Sequence, residues 1–333
     1  MTKTIIKYIS RYIRISQIIN EVNKEGRRGN NMIRNTFLHI PGIGIKNEQA
    51  LWKKGILSWD DILLEETDHF SGGKMKNIRE GIKESQEQFQ NGNVSYFASH
   101  LPQAEYWRFF PEFRESTAYL NVETSSLNPW CQPINVMTLY DGKEIFTYVY
   151  EKNLNDFIED VKKYSIIVTY NGRRLDFPFI KFYLGLELDQ SHIDLRYLLS
   201  SAGLRGGLKK CEEKVGIDRG DLKGLDGCSA ILLWEEYERN HNEKALETLL
   251  AYSTYDAVSL ETLMIHAYNL KLKGTPFEES HKIRSPKFPE IPFKAHLETI
   301  LDLDYCDLYE RGYHSKSINK WLYSYSYDAL PTP

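Results

Sequence analysis

Apolar and polar positions follow a helical period in the first third of the chain. Ala50, Leu51 and Trp52 share one predicted helix, and a second short helix begins after Ser58, a good N-cap with Asp61 three residues on. Residues 82–114 predict a helical and irregular connector that ends in the aromatic cluster YWRFFPEF. Such a cluster either seals a domain interface, its commoner use, or stacks on nucleic-acid bases.

From Ser116 onward the period changes to that of β-strands. Residues 117–124, 134–141 and 144–150 are short runs rich in β-branched and aromatic side chains, and Asp141-Gly142-Lys143 is a hairpin signal. A helix is predicted over 154–164, a buried strand over 165–171, a strand entering a helix over 192–199, and a long helix over 249–270. This order predicts an α/β fold with a mixed sheet covered by helices.

Composition narrows the class of protein only modestly. The 333 residues are 41% hydrophobic and 26% charged, which fits one large globular domain and a smaller one. The net charge of −4 gives no overall attraction to nucleic acid or to anionic membranes, so such binding needs a local basic patch. Without a CxxC pair, the cysteines argue against a zinc ribbon and a disulfide framework, and they suit a reducing cytoplasm: Cys131, Cys211, Cys228 and Cys306.

The chain divides into five predicted segments. Residues 1–31 form a basic amphipathic pattern that suits a membrane-surface or transit-type helix, but the run Lys24 to Arg28 is what a purine-rich ribosome-binding site would encode. We therefore expect a prokaryotic protein that begins at Met32, with 1–31 an upstream extension or disordered. The other segments are a small all-α module (36–92), the connector (93–115), the main domain (116–273) and a proline-rich arm and tail (274–333). No apolar run is long enough to span a bilayer.

A glycine-rich turn opens the small module. Pro41-Gly42-Ile43-Gly44 predicts a tight turn whose amides point outward at a helix N-terminus, which is a cradle for one phosphate. Lys46 and Lys53 lie close enough to add charge. The turn resembles the helix-hairpin-helix motif, which grips a nucleic-acid backbone without reading its sequence. A plain tight loop over core residues is the alternative. Ser71-Gly72-Gly73 hints at a second such turn.

Polar residues recur where strands of the main domain end. Asn121 and Glu123 are two apart in a strand and therefore project to one face. Asp176 begins the helix that follows the buried strand, and Tyr252 and Asp256 share one face of the long helix. Ligand and metal sites of such sheets gather at strand ends, so we expect these side chains to meet.

The same residues resemble three motifs of the DnaQ-like (DEDD) 3′-to-5′ exonucleases. Asn121-Val122-Glu123, the run from Asn171 to Asp176 and the run from Tyr252 to Asp256 follow the order of Asp-x-Glu, Asn-x-x-x-Phe-Asp and Tyr-x-x-x-Asp. With the preceding turn, residues 36–273 resemble the YprB-like ribonuclease H-like proteins. The resemblance implies a ribonuclease H-like fold and two Mg²⁺ or Mn²⁺ ions held by Glu123, Asp176 and Asp256. It also implies that Tyr252 orients or helps to activate the attacking water and that Asn171 supports the site.

Asn121 is the main departure from this pattern, since an aspartate that bridges both ions is expected there. An amide has no charge and one good metal-binding oxygen, so one ion site is weakened. The resemblance therefore implies an exonuclease that is weakened or inactive. Whether the chain is an enzyme stays open, and an enzyme is favoured. The alternatives are a catalytically silent nucleic-acid-binding module and an interaction scaffold. Natural divergence at position 121 is favoured over an engineered change. Leu175 in place of phenylalanine is a milder departure.

Basic residues beside the site indicate the partner. Arg173 and Arg174 precede Asp176 and suit a phosphate clamp. Lys209 lies in a glycine-rich helix entry that either holds the substrate backbone or is a plain connecting loop. We expect nucleic acid, DNA or RNA, in the form of single strands or 3′ ends, with no membrane and no small-molecule substrate. Asp194 is either a helix cap or a supporting polar residue.

Overall fold

The computed structural model describes residues 32–64, 70, 72–125 and 133–303. Eleven α-helices and five strands lie in this part of the chain. The helices are α1 (Ile45–Lys53), α2 (Trp59–Leu64), α3 (Gly72–Gln90), α4 (Val94–His100), α5 (Phe157–Asp160), α6 (Asp176–Leu184), α7 (Leu195–Ser201), α8 (Leu208–Val215), α9 (Gly227–Asn240), α10 (Glu243–Lys271) and α11 (Leu297–Leu301). The strands are β1 (Thr117–Thr124), β2 (Ile134–Tyr140), β3 (Ile145–Val149), β4 (Ile166–Thr169) and β5 (Ser191–Asp194).

The strands form one mixed sheet in the order β3-β2-β1-β4-β5. β1, β2 and β3 are antiparallel neighbours, whereas β4 runs parallel to β1 and β5 runs parallel to β4. The carboxyl ends of β1, β4 and β5 therefore lie along one edge. The predicted α/β fold, a helix-covered mixed sheet preceded by helices, is confirmed.

The long helix α10 packs across the sheet. Its residues are buried on nearly every side, because α9 and the extended segment that follows α10 cover the side away from the strands. Tyr255 of α10, for example, meets the ring of Phe288 at a centroid distance of 4.8 Å. The arm predicted from residue 274 thus lies against the domain as far as Leu303.

The amino-terminal helices share a hydrophobic core with the sheet domain. Trp107, Phe109 and Phe110 of the aromatic cluster are at most 2% exposed, and the Trp107 ring meets Tyr268 of α10 at 5.7 Å. The cluster therefore seals the interface, and the faces of these three rings are not open to bases. Ser58 and Asp61 form the predicted cap, since the Asp61 carboxylate accepts the Ser58 amide at 2.8 Å.

Four expectations differ from the structure or fall outside it. The predicted helix over 154–164 is broken into α5 and two 3₁₀ turns, and α9 was not predicted. Gly72 and Gly73 begin α3, whereas Ser71 lies outside the described residues. The expectations for residues 1–31 and for the end of the tail also lie outside them. Within the portion that the structure covers, helices are too short or too polar to cross a membrane.

Candidate functional site

Asn121 and Glu123 stand side by side on the central strand, as the strand period predicts. The Asn121 Nδ2 group donates to Glu123 Oε1 at 2.8 Å and lies 3.2 Å from Ser253 Oγ on α10. The pairing of β1 with β2 is irregular between Glu123 and Thr124, and such a bulge re-aims neighbouring side chains. The amide at position 121 therefore acts as a donor toward Glu123, a role that an ionised aspartate does not have.

Glu123 is held in an environment that favours its neutral form. Burial raises the pKa of Glu123 to about 7, and the nearby Asp256 carboxylate acts in the same direction. The hydrogen bond from Asn121 and the charges of Lys209 and Arg219 oppose this shift. Glu123 therefore lies within electrostatic reach of α10 and α8.

Asp176 is placed by a tight loop after β4. Asn171 has a left-handed backbone (φ 67°), and Asp176 is the first residue of α6. A side chain at Gly172 does not fit, since its Cβ would stand 2.3 Å from Thr169 Oγ1 and 2.7 Å from Asp176 Oδ2. Burial raises the pKa of Asp176 well above its usual range, and the charges of Glu123 and Asp194 add to the effect. Asp176 and Glu123 are therefore two acids that lie close enough to repel each other.

Asp256 on α10 is ion-paired with two cations of the chain itself. Lys209 Nζ and Arg219 Nη2 both bond Asp256 Oδ1. Burial alone would raise the pKa of Asp256, but Arg219 and Lys209 outweigh it and hold the pKa below its usual value. Lys209 thus bonds a carboxylate of the chain itself, while its predicted contact with a substrate backbone stays a prediction.

Tyr252 lies one helical turn before Asp256 and is 3% exposed. Its ring centroid is 4.4 Å from Lys209 Nζ and 5.3 Å from Arg219 Cζ. Burial, with the charges of Asp256 and Glu123, raises the pKa of Tyr252 well above its usual range. The phenol therefore keeps its proton, so it can orient a water molecule as a donor but does not serve as a general base.

Two site residues escaped the sequence analysis. Arg219 donates from Nη1 to both oxygens of Glu212, at 2.9 and 2.7 Å, while its Nη2 reaches Asp256. Glu212 is 1% exposed and also accepts from Ser259 Oγ at 2.6 Å. A buried glutamate on α8 and an arginine in the following loop carry no motif, so only their position in the fold reveals the network.

Asn171 and Asp194 connect the loop after β4 with the end of β5. Asp194 Oδ1 accepts the Asn171 amide at 2.8 Å and the Arg196 amide at 3.0 Å, so Asp194 is both a helix cap and a support for the loop. The Asn171 Oδ1 atom accepts from Arg196 Nη1 at 2.8 Å. These bonds support the interpretation that Asn171 holds the loop after β4 in place.

The predicted phosphate-binding residues lie at two places. Arg173 and Arg174 are exposed beside Asp176, and Arg173 Nη1 donates to Gln103 Oε1 at 2.9 Å. Gly42 adopts a left-handed backbone (φ 84°), and Gly44 is the N-cap of α1. Lys46 and Lys53 on α1 are exposed. These backbone angles suit a tight turn before α1, while the helix-hairpin-helix character of the turn and its role in nucleic-acid binding stay predictions.

The acidic cleft fits one divalent ion better than two. Glu123 and Asp176 are buried acids whose repulsion a hard cation would relieve, and Mg²⁺ is commonly held by one or two carboxylates together with substrate phosphates. Asp256 is already neutralised by Lys209 and Arg219, and Asn121 offers its amide to Glu123. Accordingly, within the described ranges no group of three or more His, Cys, Asp or Glu side chains is arranged to hold a metal.

Comparison with known proteins identifies the class of the sheet domain. Residues 118–268 match the model of the RNase_H_2 family, described as RNase_H superfamily. A family B DNA polymerase from the hyperthermophilic archaeon Pyrobaculum calidifontis is similar at 14% identity and a TM-score of 0.37, over 50% of this chain and 27% of the polymerase chain. The chain thus spans about a quarter of that polymerase. No curated protein matches the sequence. The family match and the sheet order agree on a ribonuclease H-like domain.

Proposed function

We propose that the chain is a nucleic-acid-processing protein whose ribonuclease H-like domain carries a phosphodiester-hydrolysing site of the 3′-to-5′ exonuclease type, weakened at Asn121. The observation that carries the proposal is the convergence of Glu123, Asp176, Tyr252 and Asp256. They come from three separate elements. Burial is the main cause of the raised pKa values of Asp176 and Tyr252, and the charge of Glu123 adds to both shifts. Clustered titratable groups with shifted pKa values in a cleft are typical of catalytic sites.

Different residues of the chain bind the ion, orient the water and bind the substrate phosphates in such a site. Glu123 and Asp176 would hold a divalent ion, which supplies charge stabilisation for the attacking water and the leaving oxygen when it is bound. Tyr252, which keeps its proton, orients the water. Arg173 and Arg174 are exposed beside Asp176. They bind the substrate phosphates next to the scissile phosphodiester.

Asn121 explains why the site is weakened. The residue adds no negative charge, and its amide group donates to Glu123 instead of offering a carboxylate oxygen to an ion. In a two-ion site, the loss of this ligand is expected to cost orders of magnitude in rate, where each tenfold is about 1.4 kcal/mol of activation free energy. Slow hydrolysis with one ion is the activity that this arrangement supports.

A catalytically silent nucleic-acid-binding module is the second candidate. The observation that favours it is the double ion pair of Asp256 with Lys209 and Arg219. These cations neutralise one carboxylate of the cleft without any metal, so the cleft is less acidic toward a phosphate backbone than three free carboxylates would be. Arg173, Arg174 and the turn at Gly42 would then serve binding alone.

The experiment uses single-stranded DNA and RNA labelled at either end, incubated with the chain in Mg²⁺ or Mn²⁺. The proposal predicts slow shortening from the 3′ end that Glu123→Gln abolishes. Glu238→Gln, a matched change at an exposed position of α9, should leave it intact. Salt-dependent binding without shortening would favour the silent module. If the strands are not shortened and binding does not depend on salt, both candidates are contradicted and the interaction scaffold is left.

A further inference from the structure

A basic groove of about 700 Å³ lies between α1, the connector and the end of α10. We call it the α1–α10 groove. Its walls carry four cationic side chains and two carboxylates: Lys53, Arg108, Lys271 and Lys273, with Glu48 and Glu105. A concave surface with an excess of one charge attracts the opposite charge strongly, because its low-dielectric walls focus the field. The groove therefore favours an anionic ligand, although the net charge of the chain is −4.

The two carboxylates of the groove are paired with Arg108 inside its wall. Arg108 Nε lies 2.7 Å from Glu105 Oε2, and Arg108 Nη1 lies 3.1 Å from Glu48 Oε2. All three side chains are buried. Burial also raises the pKa of Glu48 above its usual value, which moves this carboxyl toward its neutral form. The acids therefore contribute little negative charge to the open part of the groove.

Three lysines leave their ammonium groups free for a ligand. Lys53 is the last residue of α1, Lys271 is the last residue of α10, and Lys273 lies in the turn after α10. Lys53 and Lys273 are exposed and Lys271 is half-buried. Within the part of the chain that the structure describes, no carboxylate pairs with any of the three. Three free cations around one groove suit a ligand with several negative charges, such as a chain of phosphates.

Two tryptophans line the groove but offer no open face to a base. Trp52 and Trp107 are both buried, and the Arg108 guanidinium lies over the two rings at 5.7 and 4.9 Å from their centroids. Stacking on a base requires an exposed ring face. Recognition in the groove therefore falls to the lysines, which contact phosphates and carry no sequence information.

Trp107 also connects the groove with the surroundings of the acidic cleft. It lines a second cavity, of about 410 Å³, whose walls include Arg173 of the loop that carries Asp176. Asp256 of the cleft and Lys271 of the groove are about 22 Å apart along the axis of α10, at a rise of about 1.5 Å per residue. A strand spans this distance with about seven nucleotides at a helical spacing of roughly 3.4 Å.

We propose that the α1–α10 groove binds the phosphate backbone of a nucleic-acid strand whose 3′ end lies at the acidic cleft, through Lys53, Lys271 and Lys273. The inference rests on the proposed function and adds a second contact region to it, about seven nucleotides from the strand end. Because the contacts are to phosphates, binding in the groove depends on salt and not on base sequence. One strand that occupies both regions is held more tightly than either region alone would hold it.

Fluorescence anisotropy with a labelled single strand of about 20 nucleotides, in EDTA so that hydrolysis does not interfere, measures the contribution of the groove. Lys53→Gln, Lys271→Gln and Lys273→Gln together should weaken binding at least about tenfold at about 0.1 M salt. The slope of log affinity against log salt should fall by about 2, since each phosphate contact of a single strand contributes about 0.7. The matched control removes three exposed lysines elsewhere and should leave the slope unchanged: Lys143→Gln, Lys162→Gln and Lys163→Gln.

A photo-crosslinker on one phosphate, with Mg²⁺ present, tests the path of the strand. Placed about seven nucleotides from the 3′ end, it should react with residues of the α1–α10 groove. Placed on the last phosphate, it should react with the loop that carries Arg173. Equal reaction of the groove from both positions would mean that the strand does not run from the cleft to the groove, and it would overturn the inference.

A double variant keeps the test decisive if the triple variant fails to fold. Lys53→Gln with Lys273→Gln changes exposed side chains alone and should lower the salt slope by about 1.4. An unchanged slope in a folded variant would overturn the inference while the proposed function stands. Loss of poly-glutamate binding with unchanged binding of the strand would also overturn it, in favour of an acidic protein partner. Failure of the unaltered chain to bind single strands would overturn both the inference and the proposed function.

Discussion

At the residue scale, Gly172 determines where Asp176 stands. The backbone of the loop after β4 passes so close to Thr169 and Asp176 that a Cβ atom at position 172 would overlap both side chains. Gly172 also donates its amide to Thr169 Oγ1 at 3.0 Å, which ties the loop to the strand. The position of one acid of the site thus depends on the absence of a side chain four residues before it.

Gly172→Ala should therefore lower the free energy of unfolding by about 1–3 kcal/mol, the usual cost of overpacking, and displace Asp176. Thermal or denaturant unfolding followed by circular dichroism measures the change. Gly227→Ala is the control, since a Cβ there meets nothing within 4 Å. Equal stability of the two variants would show that the loop after β4 has room to relax.

Residue positions within one element were predictable, whereas pairings across elements were not. Asn121 and Glu123 meet because a strand repeats every two residues, and Tyr252 and Asp256 share a face because a helix returns after about four. The bond between Lys209 and Asp256 joins residues 47 apart in the chain. No local period encodes such a pair, so the sequence indicates that Lys209 suits a substrate backbone and does not indicate its bond with Asp256.

At the element scale, Arg219 joins the segment after α8 to α8 itself and to α10. Its side chain is 8% exposed and bonds Glu212 on α8 and Asp256 on α10. The guanidinium also lies 4.6 Å from the ring of Tyr255. One cation therefore balances two buried carboxylates from different helices, and the orientation of α8 against α10 depends on it.

Arg219→Met should lower the free energy of unfolding by about 3–5 kcal/mol, because it leaves the buried Glu212 without its ion-pair partner and Asp256 with Lys209 alone. Urea denaturation followed by circular dichroism gives the value. Arg239→Met on α9 removes the ion pair between the exposed Arg239 and the half-buried Glu235 and should change stability by less than about 1 kcal/mol. A mild effect of Arg219→Met would mean that Lys209 alone compensates for the buried acids.

Elements with a strong period or a clear cap were predictable. The strands of the sheet, the start of α6 and the long α10 follow from side-chain patterns and turn residues. Helix α9 was missed, although Asp226 and Ser229 form a capping box at its start and mark it in the sequence. The helix predicted over 154–164 is broken because tertiary packing divides it into short turns. Intrinsic helix propensity does not predict such a break.

At the scale of the whole molecule, the amino-terminal helices and the sheet domain are joined by one core. His39 lies inside the helical part, where it is 1% exposed and its Nε2 atom is 3.0 Å from Ser85 Oγ. Burial, with the charges of His100 and Arg108, lowers the pKa of His39 to about 3. The folded protein therefore holds this imidazole neutral at pH values where the unfolded chain protonates it.

Stability should fall as the pH drops below about 6.5, because the unfolded state then binds a proton that the folded state excludes until about pH 3. His39 contributes a slope of about 1.4 kcal/mol per pH unit at most, and His192 and His281, with pKa values lowered to about 4, act in the same direction.

His39→Gln should reduce the dependence of unfolding free energy on pH between about 4 and 6, measured by urea denaturation at each pH. His241→Asn, an exposed change at a left-handed position, should leave the slope as it is. Identical slopes in all three proteins would show that water reaches His39 in the folded state.

The central claim, that a phosphodiester-hydrolysing site is weakened at one residue, is tested most directly by Asn121→Asp. Degradation of end-labelled single strands in Mg²⁺ and Mn²⁺ is compared among the unaltered chain, Asn121→Asp, and Asn121→Asp combined with Glu123→Ala. We expect a gain of at least about tenfold in Asn121→Asp, equal to about 1.4 kcal/mol, and its loss when Glu123→Ala is added. No gain in a folded Asn121→Asp variant would contradict the account and favour the silent binding module.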